Sequence, residues 1–437
     1  MDVTVIGAGA AGCFAALAAR GVLQGDGTVT EPGPDAPTVL LRDGQEQPGR
    51  KILISGGGRC NVTNSQVGPD DFVTSSPRTL RTQLLEFPPA AVVRFFADAG
   101  VPLTEEPMGK LFPTGDLRAR DVLAALHRRL DEAGVVTRFG APVRTVVPDG
   151  GTWLVDGEPT RRVIVAAGGR SVPATGSTGF GLDLATALGH ELVEPVPALA
   201  ALLGDADADL AGVSVPAIVT AAGPDGSVLR RVAGSLLFTH RGVTGPAALD
   251  VAEVLERASD ATVTADVWSL LADDGPFAPW LDAPKLPGAC LPDPPTPVDV
   301  GAVDETLQRL AEDANPGTQL STLLATRLPR ALAAAIAGDA ATTAVDQLPR
   351  DVRRRTAHRL ASLDLGVHAT AGYAKAEVTA GGVALDDLDR RTLESRVAPG
   401  THWCGEVCDV TGRLGGFNFQ WAWTSGYLAG RAAGDAT

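Results

Sequence analysis

Gly7-Ala8-Gly9-Ala10-Ala11-Gly12 is the first stretch of the chain whose residue types and spacing point to chemistry. The pyrophosphate of a dinucleotide needs unpaired backbone N–H groups, and a helix N-terminus presents them at the positive end of its dipole. Gly7 would permit a tight turn, Gly9 would let the backbone approach phosphates, and Gly12 would let helix and sheet pack closely. A G-x-G-x-x-G pattern by itself is common. This one gains weight from the apolar run before it and the Ala-rich run after it. The competing reading is a structural turn that holds no ligand.

Asp43 ends the next apolar run, Val39-Leu40-Leu41-Arg42, and is placed to bind ribose hydroxyls. It lies 31 residues past Gly12, further than the usual interval of ~20, and the loop over 24–37 accounts for the excess. Its alternative role is to open an Asp43-Gly44 turn. A second glycine-rich stretch runs from Gly49 through Arg50, Lys51, Ser55, Gly56, Gly57, Gly58, Arg59, Cys60 and Asn61 to Asn64. Successive glycines cost conformational entropy, so they make sense where backbone must lie against a flat ring or phosphates. Arg50, Lys51 and Arg59 would bring positive charge to such a ligand; the alternative for each is a solvated surface side chain.

These groups need a scaffold. Val3–Ile6 reads as a strand, the Ala-rich stretch to Arg20 as a helix, and Val39–Leu41 as a second strand. Residues 79–100 look helical, with Pro88-Pro89 starting a new helix. Residues 121–133 read as another helix, and 161–167 as a buried strand ending in Gly168-Gly169. From 195 to 268 the pattern turns to short β-rich pieces. Residues 273–299 are Pro-rich and aperiodic, 302–360 look helical, and short strands return from 361 before a last helix over 420–433. The expected organisation is a dinucleotide-binding domain of 1–194 and 381–437, an inserted β domain of 195–268 and 361–380, and a connector with a helical subdomain over 269–360.

Composition narrows the classes. The 437 residues carry a formal net charge of −15, the wrong sign for displacing phosphate counterions or docking on an anionic membrane. No nucleic-acid or membrane partner is therefore expected. No apolar run approaches the ~20 residues of a membrane span, and Met1-Asp2 lacks a basic leader, so the cytoplasm is the expected compartment. Five cysteines form no disulfide framework. The six histidines have no ligand spacing, so no metal is expected.

The stretch from Gly49 to Asn64 closely resembles the signature of the BaiN-like flavoproteins, also described as the aminoacetone oxidase family. The resemblance recurs in Met108-Gly109-Lys110-Leu111-Phe112-Pro113, Ala166-Ala167-Gly168-Gly169, Gly176–Gly179, Leu237–His240, Ala376–Val383, and from Gly405-Glu406 through Gly415-Gly416-Phe417-Asn418 to Trp423. It spans nearly all the chain except 24–37 and roughly 260–360. It implies an α/β fold: a Rossmann-like FAD-binding domain of the glutathione-reductase-like group, interrupted by a β-barrel-like domain and a helical subdomain. On that basis FAD is the expected cofactor. Glu406 would accept a hydrogen bond from the ribityl chain, and Gly415-Gly416 would bring backbone amides and a helix N-terminus toward the pyrimidine ring. The cofactor-binding set also takes in Val143. Phe180 and Ala167 depart from the family's usual Asp and Thr. Trp421 and Trp423 read as packing residues, and Cys404 and Cys408 as small buried hydrophobes.

Disulfide reductases of this broad group need a redox cysteine pair and a second nucleotide fold, and neither is evident. The leading expectation is hydride transfer through FAD N5 to a small organic substrate. The resemblance implies NADH or NADPH as donor and an enone-like carbonyl as acceptor. An amine oxidase using O2, or a non-catalytic FAD-binding redox sensor, are the alternatives. Arg59, Asn61 and His240 are the candidate catalytic groups, none of them with an assigned role.

Overall fold

A computed structural model describes residues 1–205, 207–258, 260–271 and 299–436. The Pro-rich connector expected over 273–299 falls, save for its last residue, outside the described residues. The chain divides into two compact units, Met1–Ala198 with Ala376–Thr437, and Leu199–Lys375.

The first unit is built on a five-stranded parallel sheet ordered Thr401–Trp403, Arg162–Val165, Val3–Ile6, Val39–Arg42, Val136–Arg138. Val3–Ile6 lies at its centre and is buried throughout, which is why it reads as an unbroken apolar run rather than an alternating one. This is the Rossmann-like arrangement expected. The helix Ala10–Ala19 follows the first strand directly. Its small side chains let the C-terminal helix Phe417–Asp435 approach closely. A Cβ added at Gly426, Gly430 or Gly434 would overlap the carbonyl oxygen of Ala11, Ala15 or Ala19 in turn. Three glycines and three alanines, each spaced by four, thus form a ladder along one face of each helix.

Smaller antiparallel pieces complete the unit. Leu103–Glu106, Lys110–Pro113 and Thr63–Asn64 form a three-stranded sheet. Leu192–Ala198 pairs with Val378–Val383. That pair spans the domain limits expected at 194 and 381; the division falls outside it, at 198 and 376. The helix expected from 420 begins at Phe417, because Gly416 in the left-handed region serves as its N-cap.

The second unit carries a seven-stranded antiparallel sheet ordered Leu363–Asp364, Thr262–Asp266, Ser214–Ala222, Val228–Thr239, Gly242–Thr244, Leu202–Gly204, Val367–Thr370. The helical stretch expected over 302–360 resolves into Val300–Glu312, Leu320–Leu324, Arg330–Ala337 and Arg350–Ala361. Pro329 and Pro349 stand just before the last two, where a missing N–H costs nothing.

Candidate functional site

The site is assembled from the first unit around the turn at Gly7. Gly7 has φ +103°, and a Cβ there would overlap the Ala166 carbonyl oxygen. A Cβ at Gly12 would overlap the Gly7 carbonyl oxygen. Gly9 is different: nothing lies within 4 Å of the Cβ position. The helix it opens has no side-chain cap and no acidic residue in its first turn, so its leading amides keep their uncompensated positive end. Gly9, Ala10, Ala11 and Gly12 therefore form an open cradle with the donors an anion requires.

Asp43 sits beside that cradle. Its Oδ2 accepts from Ala8 N at 2.7 Å and its Oδ1 from Gln45 N at 2.7 Å. The turn reading holds, since the carboxylate closes the Asp43-Gly44 turn, and it also reaches the glycine turn. A carboxylate has about four acceptor positions, so two remain for ribose hydroxyls. Ala141 N donates to the Asp43 carbonyl at 3.0 Å, which runs the segment carrying buried Val143 alongside this end of the sheet.

In the second glycine stretch, Gly56, Gly57 and Gly58 all have positive φ, at 54°, 67° and 84°. Glycine is required here by backbone conformation, and Gly57 has open space at its Cβ position. Cys60, with φ 63°, is buried. Asn61 follows, also buried, and its Oδ1 has no hydrogen-bond partner. An orphaned buried acceptor costs about 1–3 kcal/mol unless a ligand or water satisfies it. The open cradle fits the pyrophosphate of a bound dinucleotide.

Two of the three basic residues spend their charge on carboxylates. Lys51 Nζ donates to Glu406 Oε1 and Oε2 at 2.9 and 2.7 Å, and to Ser171 Oγ at 2.5 Å. Arg59 pairs with Glu106 and lies 4.1 Å from the Phe112 ring centroid. The hydrogen bond from Arg59 holds the Glu106 carboxyl below its usual range. Arg50 is exposed and donates to the Ala174 carbonyl at 3.1 Å.

The C-terminal segment closes the same region. Gly405 N donates to Ser425 Oγ at 2.9 Å, and Trp421 Nε1 to the Gly405 carbonyl at 3.1 Å. Glu406 Oε1 accepts from Ser171 Oγ at 2.8 Å and Thr379 N at 3.1 Å. Gly168 has φ 71°, and a Cβ at Gly169 would overlap the Thr379 hydroxyl, so the turn after Ala167 must stay bare. Gly415 and Gly416 precede an uncapped helix. Buried Phe417 heads that helix, and Asn418 pins the turn through Gly412 N at 2.8 Å and Gly412 O at 2.7 Å. Sequence reasoning passed over Ser171, Thr379 and Asn64. The last donates to the Met108 and Gly415 carbonyls at 2.9 and 3.0 Å. Its place in the Gly49–Asn64 stretch was the signal available.

His240 belongs to the second unit, exposed in the tight turn between Val228–Thr239 and Gly242–Thr244. Among the described residues no group of His, Cys, Asp or Glu could hold a metal ion, and no helix is long and apolar enough to cross a membrane.

Among the described residues the four cysteines are buried and free. Burial pushes the Cys13 and Cys60 thiols up to about 12, with the Asp43 charge adding to it at Cys13. Burial likewise pushes the Cys404 and Cys408 thiols up. The thiolate is the reactive form. These four are therefore expected to resist alkylation in the folded protein at mildly alkaline pH and to react fully in denaturant; peptide mass spectrometry showing early labelling at Cys60 or Cys404 would contradict this.

Residues 1–432 match the family described as HI0933-like protein Rossmann domain. The chain is 32% identical over 438 residues to the ribosomal RNA dihydrouridine synthase of Escherichia coli (strain K12), covering 98% of this chain and 96% of that protein. It is 31% identical over 439 residues to the 3-dehydro-bile acid delta(4,6)-reductase of Clostridium scindens, covering 99% of each. Among solved structures, 3-ketosteroid delta1-dehydrogenase from Sterolibacterium denitrificans matches with TM-score 0.50 over 100% of this chain and 99% of that one, at 14% identity, a likeness of fold alone.

Proposed function

Because the chain belongs to the HI0933-like Rossmann family of FAD-binding oxidoreductases, we propose that it reduces a carbon–carbon double bond conjugated to a carbonyl, drawing on NADH or NADPH. The observation that carries the cofactor part of this reading is the uncapped, open cradle at Gly9. Two relatives similar over almost the whole chain support the reaction class. One is named for reducing a bile-acid dienone and the other for making dihydrouridine, and each name denotes saturation of a double bond in conjugation with a carbonyl.

When bound, FAD supplies hydride transfer through its N5. The residues that would hold it do the rest. The amides of Gly9 to Gly12 would bind the pyrophosphate, and Asp43 would take the ribose hydroxyls. Glu406 would orient the ribityl chain, and the uncapped helix at Gly416 would offer its positive end to the ring.

The substrate proposed is a small enone-like carbonyl compound, in keeping with the −15 net charge. A second reading, uridine within ribosomal RNA, draws on the 32% identity to the dihydrouridine synthase. Anaerobic mixing with NADH and with NADPH is expected to bleach the flavin absorbance, and a cyclic enone to restore it. Restoration only by unmodified ribosomal RNA moves the substrate to the second reading. Bleaching only by amines indicates an oxidase, and no bleaching by any donor leaves a sensor and sinks the reductase.

A further inference from the structure

We propose that Lys51 is a positioning residue that holds the Glu406 carboxylate in one orientation, leaving Oε2 as the oxygen open to a cofactor hydroxyl. The inference rests on the FAD reading above. Lys51 has three N–H donors, and all three are used: two on Glu406 and one on Ser171. It has none left for a phosphate. On the other side, Glu406 Oε1 takes Lys51, Ser171 Oγ and Thr379 N, and is full. Oε2 takes only Lys51. With one donor against three on Oε1, Oε2 is the oxygen with room for another.

The pair is not a solvated surface contact. The two side chains are 27% and 18% exposed, and Ser171 is fully buried. A half-buried carboxylate stripped of its counter-ion is strongly disfavoured, and here it would also face an anionic dinucleotide. The four partners come from distant segments: the helix Arg50–Ile54 that leads into Ser55–Gly58, the turn after Arg162–Val165, the strand Val378–Val383, and the turn after Thr401–Trp403. Lys51 therefore ties the second glycine loop to the closing C-terminal segment. The residue expected to bring charge to the ligand instead brings it to the residue that orients the ligand.

The test is FAD titration of the apoprotein, followed by quenching of flavin fluorescence, for wild type, Lys51→Met, Glu406→Gln and the double variant. Lys51→Met is expected to weaken binding at least about tenfold, and adding Glu406→Gln to recover most of that loss, because it removes the uncompensated charge. A merely structural lysine would give no such recovery. Lys51→Gln, which keeps donors without charge, serves if Lys51→Met does not fold, and is expected to behave the same way. An affinity for either single Lys51 variant within about twofold of wild type, or a double variant as weak as the single, overturns the inference alone. A wild-type chain that takes up no FAD removes the cofactor reading and this inference with it.

Discussion

Replacing Gly9 by alanine is expected to weaken FAD binding by about a hundredfold, close to 3 kcal/mol, while changing the stability of the apoprotein by no more than ~1 kcal/mol. Gly9 has φ −81° and ψ −166°, which alanine adopts freely, and nothing in the protein meets the added Cβ. Any large penalty must come from what binds there. Gly12→Ala is the counterpart. Its Cβ would enter the Gly7 carbonyl oxygen, a backbone atom that cannot swing aside, so the apoprotein itself should lose about 3 kcal/mol or more. Urea unfolding of the two apoproteins, with flavin titration of each, separates the roles. A Gly9→Ala protein that binds FAD as tightly as wild type would sink the phosphate-cradle reading.

Trp423→Ala is expected to cost the first unit about 3–5 kcal/mol. The indole is fully buried. Its ring lies 4.5 Å from Phe14, 5.5 Å from Phe96 and 5.6 Å from Phe419 by centroids, the last nearly parallel at 12°. Its Nε1 donates to the Val62 carbonyl at 2.8 Å, and losing that donor strands a buried acceptor for about 1–3 kcal/mol. Trp423→Phe should keep most of the packing and lose the hydrogen bond, so its cost should be smaller. Denaturant midpoints measure both. If Trp423→Phe left stability unchanged but altered the visible spectrum of bound flavin, the tryptophan would be a stacking partner and the packing assignment would fail.

The parts of the fold readable in advance were those whose signal is local. Val3–Ile6 is an unbroken apolar run because both of its faces are covered, and the glycine turn follows it without a gap. Pro88-Pro89 marked a new helix, and Pro89–Asp98 begins there with Pro88 as N-cap, since proline's missing donor is harmless at a helix start. Asp43 was found by its position at a strand end, although the loop before it is longer than usual. The strand expected over 161–167 stops at Val165, because beyond it the chain must run past Gly7 rather than along the sheet.

What the sequence did not disclose is which distant groups would meet. Lys51 and Glu406 are 355 residues apart, and nothing in either motif says that the charge of one is spent on the other. Arg59 looked like a ligand contact, but only the antiparallel sheet carrying Glu106 shows where its charge goes. The glycines at 426, 430 and 434 stand four apart, a spacing the sequence reading passed over. Their meaning depended on a partner helix at the other end of the chain.

That last pairing has a bearing on how the protein comes into being. The helix behind the phosphate turn leaves the ribosome first, yet the face that seats it is supplied by residues 417–435. At translation rates of roughly 5–20 residues per second, about 20–80 seconds separate the two. Through that interval the nascent chain holds the turn's sequence without its backing, so the close packing of the first helix waits for the clasping helix to emerge.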